Sequence, residues 1–335
     1  MQRNEPLSQA KALLYEHFGY SSFRGAQETL ISAILSGKDA LGIMPTGAGK
    51  SICYQIPGLM LPGITLVVSP LISLMQDQVR ALKAAGIAGA YLNSSLSYKQ
   101  YLKALDNARK GMYKIIYVAP ERLVTGEFQS FAASVPISLV AVDEAHCVSQ
   151  WGHDFRPSYM NIAPFVAMLP TRPVLAAFTA TATPAVREDI LCHLKLQEPE
   201  IAVTGFNREN LFFRVLKPTD KKAALLEFIA QHRDESGIVY CSTRKNVEKV
   251  TELLKDNGIS AARYHAGLEE EERREGQTAF LYDKVKVMVA TNAFGMGIDK
   301  QNVSYVVHYN MPKNMEAYYQ EAGRAGRDGS KAECL

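Results

Sequence analysis

The sequence predicts an α/β protein of two successive units, each a mostly parallel sheet flanked by helices. Three observations carry this. Strand-sized apolar runs alternate with amphipathic stretches of helical length, the pattern of buried parallel strands joined by crossover helices. The alternation breaks at Thr204–Pro218 (TGFNRENLFFRVLKP) and then restarts. A chain of 335 residues, at roughly 100–200 per domain, makes two domains. The junction is placed within 204–211, giving units 1–206 and 207–335.

In the first unit, strands are expected at Ala40–Met44, Ile64–Ser69, Lys114–Ala119, Leu139–Asp143 and Val174–Thr179, each apolar enough to be covered on both faces. Between them, Lys50–Leu59, Leu71–Ala85 and Ser97–Lys110 read as helices. In the second unit, strands are expected at Gly237–Cys241, Ala261–Tyr264, Val285–Ala290 and Val303–His308, with helices at Lys245–Asn257, Glu269–Tyr282 and Asn314–Glu321. The acidic run opening Glu269–Arg274 (EEEERR) suits a solvated helix start. Lys331–Leu335 reads as the start of a further strand, so the sequence is expected to be a fragment of a longer protein.

Composition narrows the function. Lys and Arg number 37 against 34 Asp and Glu, a net charge of +3, which excludes a wholly basic nucleic-acid binder but not a local phosphate track. The five cysteines form no C-x-x-C pair, so a zinc knuckle has no support and the thiols read as reduced. The amino-terminal MQRNEPLSQAKALL lacks the apolar core of a secretory signal, and no membrane span is expected.

The strongest chemical signal is Met44-Pro-Thr-Gly-Ala-Gly-Lys-Ser51, between a strand and a helix. It reads as a phosphate-binding loop: the backbone of Thr46, Gly47, Ala48 and Gly49 can approach phosphate oxygens, Lys50 can reach the β- and γ-phosphates, and Ser51 can ligate Mg²⁺. The strict pattern requires Gly where this chain has Met44. Support comes from Asp143-Glu-Ala-His146 after the apolar Ser138–Val142: Asp143 suits Mg²⁺, and Glu144 suits orienting and deprotonating water. In Gln320-Glu-Ala-Gly-Arg-Ala-Gly-Arg327, Arg324 and Arg327 would share one face if helical and suit the stabilisation of phosphoryl charge. They belong to the second unit and the phosphate loop to the first, so both units would serve one nucleotide. Trp151 stands with His153, Phe155, Arg156 and Tyr159 in a polar, Gly- and Pro-containing segment, a composition suited to base stacking and phosphate contact. His146 and His153 lack the paired ligands of a zinc site. Ser69, Arg122, Thr243, Arg244, Thr291 and Asn292 are candidate backbone contacts to DNA, with a cap or turn role as the alternative for the Ser and Thr residues.

These motifs together resemble the helicase core of the RecQ family, within helicase superfamily 2. The resemblance covers nearly the whole chain. It rests on Phe18-Gly-Tyr20 with Phe23-Arg24 and Gln27, MPTGAGKS, Val68-Ser-Pro-Leu-Ile-Ser-Leu-Met-Gln-Asp-Gln78 and Ala119-Pro-Glu-Arg122. DEAH runs directly into Cys147-Val-Ser-Gln-Trp-Gly-His-Asp-Phe-Arg-Pro157, followed by Thr179-Ala-Thr-Ala182, Val289–Asp299 and QEAGRAGR. The resemblance implies two RecA-like domains and ATP hydrolysis with Mg²⁺ coupled to 3′-to-5′ movement on DNA, unwinding duplexes in recombination and repair. It implies that Gln27 and Arg24 read adenine with Tyr20 stacked on the base. It makes the loop carrying Trp151, His153, Phe155 and Arg156 a sensor of single-stranded DNA, with His146 in the relay to the ATP site. Single-stranded and duplex DNA are the expected partners, with single-stranded-DNA-binding and other repair proteins besides. A cytoplasmic monomer is expected, nucleoid-associated if bacterial. Many family members carry zinc-binding and winged-helix domains after this core, which would lie beyond Leu335. Two alternatives stay open: a nucleotide-gated DNA-binding module with DNA-stimulated ATPase but little unwinding without those domains, and an RNA helicase.

Overall fold

The computed structural model describes residues 5–151, 154–205, 207–294 and 300–335. It divides into two compact units, Met1–Phe206 and Asn207–Leu335. The first unit carries seven strands: β1 Ala40–Ile43, β2 Ile64–Val68, β3 Gly89–Leu92, β4 Ile115–Val118, β5 Ile137–Val142, β6 Val174–Thr179 and β7 Glu200–Val203. Its helices are α1 Glu5–Phe18, α2 Gln27–Leu35, α3 Lys50–Met60, α4 Ile72–Ala84, α5 Tyr98–Arg109, α6 Gly126–Ser134, α7 Ile162–Met168 and α8 Pro184–Leu194. The strands lie in the order β3-β4-β2-β5-β6-β1-β7, and every described pairing is parallel.

Alternation along each strand divides the core into two layers. Leu41, Ile43, Leu66, Val68, Val140 and Val142 point to one face, where Tyr101, Phe128, Phe165 and Ile190 from α5, α6, α7 and α8 cover them. Ala40, Val67, Leu139, Ala141 and Phe178 point to the other, under Leu30, Tyr54, Met75 and Leu82 from α2, α3 and α4. The central strands are buried on both sides, which is why they read as unbroken apolar runs.

The second unit contains β8 Leu211–Phe213, β9 Ser236–Tyr240, β10 Ala261–Tyr264, β11 Val287–Ala290, β12 Val303–His308 and β13 Ala332–Cys334, with α9 Lys221–Gln231, α10 Arg244–Asp256, α11 Glu270–Leu281 and α12 Met315–Ala322. The order is β10-β11-β9-β12-β13-β8, again parallel throughout. Ile238, Met288 and Val306 face Phe280 and Ala322, while Val239, Val289 and Val307 face Phe228, Val250 and Leu254. Both units are therefore RecA-like: parallel sheets with helices on both faces.

Two expectations change. The helix before the paired arginines ends at Ala322, so Arg324 and Arg327 lie in turns and share no helical face. The stretch 204–218, read as a connection, contains β8, an edge strand. No described helix is long and apolar enough to cross a membrane.

Candidate active site

Parallel strands deliver their following loops to one edge of the sheet, where α/β proteins bind ligands. Here β1, β6 and β5 are successive neighbours. Their ends carry the phosphate loop, Thr179–Thr181 and Asp143–Glu144 respectively. Backbone bonds continue past the strand ends: Met44 N–H donates to the Thr179 carbonyl (2.9 Å) and Asp143 N–H to the Val68 carbonyl (2.9 Å).

Met44 is a core residue. Its side chain is buried with Cys53 and Phe178, and its carbonyl accepts the Lys50 ammonium at 3.2 Å. The missing first glycine is thus a position where a side chain fills the core. Gly47 (φ +85°) and Gly49 (φ +75°) adopt left-handed backbone, Gly49 immediately before α3. A Cβ on Gly49 would stand 2.4 Å from the Gln27 amide nitrogen. That nitrogen donates to the carbonyls of Ala48 and Gly49, both at 3.1 Å, while Gln27 Oε1 accepts the Arg24 N–H at 2.8 Å. Gln27, the expected adenine reader, clamps the phosphate loop in this structure. Tyr20 is 48% exposed, with the Arg24 guanidinium 5.2 Å from its ring centre, an open platform for a flat ligand.

Asp143 is buried, and burial raises its carboxyl well above the usual carboxylate range; the Glu144 charge adds to this and the Lys50 charge opposes it. Glu144 adopts a left-handed backbone (φ +48°, ψ +48°). Its Oε2 is buried without an aligned hydrogen bond, with His146 Nδ1 3.3 Å away at ion-pair distance. His146 is itself buried, so it touches no DNA directly. Its Nδ1 lies 2.9 Å from Thr179 Oγ1, and that hydroxyl donates its own proton to the Thr181 carbonyl (3.0 Å). Nδ1 is therefore the donor, and the imidazole bridges Glu144 to the end of β6.

Mg²⁺ can be tested against these residues. Asp143 and Glu144 place two carboxylates beside one lysine, an excess of negative charge in a buried setting that a divalent cation would offset. Among the described residues no group of three or more His, Cys, Asp or Glu could cage a metal alone. Ser51 and Asp143 fit an ion that keeps substrate phosphate and water in its remaining positions.

In the segment after Asp143–His146, Trp151 is 79% exposed. Its N–H donates to Ser149 Oγ (3.2 Å), which donates to Asp189 Oδ2 of α8 (2.6 Å). Phe155 is half-buried. Arg156 is committed within the protein: Nε and Nη2 donate to Asp154 Oδ2 (3.1 and 3.0 Å), and Nη1 to the Pro70 carbonyl (2.7 Å). Tyr159, grouped by sequence with the stacking residues, is instead fully buried, its hydroxyl donating to the Asp143 carbonyl at 2.9 Å. His153 lies outside the described residues.

Ser69 is also fully buried, so its hydroxyl cannot meet a DNA backbone. Thr243 caps α10, accepting from Asn246 N–H at 3.1 Å. Arg122 donates to the Asn93 carbonyl (3.2 Å) and lies over the Tyr101 ring, whereas Arg244 and Asn292 are exposed and Thr291 half-buried.

In the second unit, Arg324 is buried, with Nε and Nη1 unpartnered among the described residues and the Tyr240 phenol in hydrogen-bond contact. Arg327 is half-buried. Their turn is built by residues that sequence reasoning missed. Arg208 Nη2 donates to the carbonyls of Ala325 (3.1 Å) and Gly326 (2.7 Å), and Asn210 Nδ2 to those of Gly326 and Ser330, both at 2.8 Å. Arg208 and Asn210 immediately precede β8, so recognising that strand would have exposed them.

Comparison with known proteins agrees with this architecture. The DEAD/DEAH box helicase model matches residues 24–190, and the helicase conserved C-terminal domain model matches 220–329. The chain is 51% identical over 330 residues to the ATP-dependent DNA helicase RecQ of Bacillus subtilis, covering 98% of this chain and 56% of that protein. It is 48% identical over 331 residues to RecQ of Pasteurella multocida, covering 98% and 52%. It thus spans about half the length of these relatives. Among solved structures, Mycobacterium smegmatis helicase Lhr bound to ssDNA and AMP-PNP superposes with a TM-score of 0.78 at 22% identity, over 98% of this chain and 48% of that one, a likeness of fold. Its two matched helicase domains, and an identity near one-half sustained along the whole chain, mean that the protein belongs to the RecQ family of DEAD/DEAH-box helicases.

Proposed function

We propose that this chain is an ATP-hydrolysing motor that moves 3′ to 5′ on single-stranded DNA and unwinds duplex DNA in recombination and repair. The observation that carries the reading is the hydrogen-bonded continuity, along one sheet edge, of the phosphate loop, the Asp143–Glu144 pair and the stem of the Trp151 loop. In this reading Lys50 leaves the Met44 carbonyl for the β- and γ-phosphates. Glu144 orients water and accepts its proton. Arg324 and Arg327 neutralise phosphoryl charge, Tyr20, Arg24 and Gln27 hold the base, and Trp151 stacks on DNA. Ser51 and Asp143 would hold Mg²⁺, which supplies charge neutralisation on the phosphates when bound. A monomer in the cytoplasm, working beside single-stranded-DNA-binding and other repair proteins, suits this role.

The test compares ATPase rates with single-stranded DNA, duplex DNA and RNA at matched salt, and unwinding of duplexes with 3′ or 5′ tails. Stimulation by single-stranded DNA and a requirement for a 3′ tail are expected. Unchanged ATP turnover in Lys50→Ala, or equal stimulation by RNA, overturns the reading. Because the chain spans about half of its relatives' length, a second reading has its own support: a nucleotide-gated DNA-binding module. It predicts DNA-stimulated hydrolysis with little strand separation.

A further inference from the structure

The peptide unit joining Asp143 to Glu144 is held at both ends. Its N–H, on Glu144, donates to the Asp143 side chain at 3.0 Å, and its carbonyl, on Asp143, accepts the Tyr159 hydroxyl at 2.9 Å. The next backbone torsion is the left-handed φ of Glu144, +48°, a conformation that survives only where surrounding contacts impose it. Rotating this peptide plane would swing the Glu144 carboxylate.

Tyr159 is tied equally to the Trp151 loop. It lies in the short 3₁₀ turn Pro157–Asn161, and its N–H donates to the Arg156 carbonyl (2.9 Å). Arg156 closes the loop's stem, its N–H donating to the Cys147 carbonyl (2.9 Å) and its guanidinium gripping Asp154 and Pro70. A shift of Arg156 would pass through this turn to the Tyr159 phenol. The ring is fully buried in the core cluster that also holds Val142, Ala145 and Cys147, where close packing restricts its motion.

We infer that Tyr159 is a positioning residue: its hydroxyl transmits the state of the Trp151 loop to the Asp143–Glu144 peptide and so sets the aim of the Glu144 carboxylate. This rests on the ATPase reading above.

The test uses the full chain with the single change Tyr159→Phe, which keeps the ring and removes the hydrogen bond. Steady-state ATPase is measured against ATP and against an oligo-dT strand. The expected result is a fall of about tenfold in the DNA-saturated kcat, since small misplacements of a reacting group cost one to two orders of magnitude. The KM for ATP and the half-stimulating DNA concentration should stay within about twofold. The double variant Trp151→Ala/Tyr159→Phe distinguishes transmission from packing: residues on one route are non-additive, so it should be no slower than the slower single variant. Multiplying losses, a parallel rise in the ATP KM, or full DNA stimulation in Tyr159→Phe overturns the inference alone. A parent chain that DNA does not stimulate overturns the ATPase reading, and the inference with it.

Discussion

Glu144 holds a backbone conformation that costs a residue with a Cβ about 1–2 kcal/mol, and it does so beside a buried carboxylate of like charge. Strain and repulsion at one residue both lower stability, and they persist where a function needs them. Glu144→Gln removes the charge while keeping the shape. As the proposed proton acceptor in ATP hydrolysis, Glu144 would contribute about 10²–10⁴ in rate, and the variant should lose that much kcat. Affinity for a fluorescent ATP analogue should stay within a few-fold, because the phosphate loop, Lys50 and Tyr20 are untouched. A kcat within threefold of the parent would remove Glu144 from the chemistry. The variant should also raise the thermal midpoint of the nucleotide-free protein at pH 8, where the two carboxylates repel most strongly.

The legibility of the elements followed their burial. Central strands such as β5 and β6 were read to within two residues, because strands covered on both faces must be apolar throughout. The edge strands β3, β7 and β8 were missed: they run only three or four residues and are partly exposed, so their apolar runs are too short to mark them. Helix α8 carried a readable signal, Thr183-Pro184, with Thr183 Oγ1 capping Val186 N–H, and cap chemistry would have found it. Helix α2 has Ala26 at its cap and offered none. The site divided in the same way. Lys50, Asp143 and Glu144 were legible because motif residues are contiguous. The pairings Gln27–Gly49, His146–Thr179 and Tyr159–Asp143 were not, being made by packing across 22, 33 and 16 residues. One such long-range staple fixes the approach to β12. Asp283, after α11, accepts the buried Lys300 ammonium at 2.9 Å and the Ser236 hydroxyl at 2.8 Å, and these bonds hold its carboxyl down at about 2. A depressed carboxyl stabilises the fold fully above its unfolded value of 3.8 and loses that contribution as pH falls towards 2. Asp283→Asn should therefore cost about 1 kcal/mol at pH 7, below the roughly 1.5–3 kcal/mol of a charge-assisted bond because Asp283 is 42% exposed and screened by water. In denaturant titrations the gap from the parent should stay level from pH 8 to pH 5 and narrow below pH 4; a gap that widens with acid would refute the ion pair as its source.

At the scale of the whole chain, a net charge of +3 leaves little long-range field to draw in a polyanion. In the proposed function, grip on DNA would come from local phosphate contacts and from stacking, and these respond differently to salt. Each phosphate neutralised on a single strand adds about 0.7 to the slope of log affinity against log salt, whereas stacking adds nothing to it. Among the described residues of its loop, Trp151 is the large exposed aromatic and carries no charge, while Arg156 is already bound to Asp154 and Pro70. Trp151→Ala should thus weaken binding to an oligo-dT strand by about 1–3 kcal/mol at every salt concentration, giving a line parallel to that of the parent. Arg244→Ala, removing an exposed cation at the start of α10, should flatten the slope by about 0.7 if Arg244 contacts phosphate. Fluorescence anisotropy across a series of salt concentrations separates the two. A Trp151→Ala slope that differs from the parent's by a full unit would mean that the loop acts by placing cations on the backbone, and the stacking role would have to be abandoned.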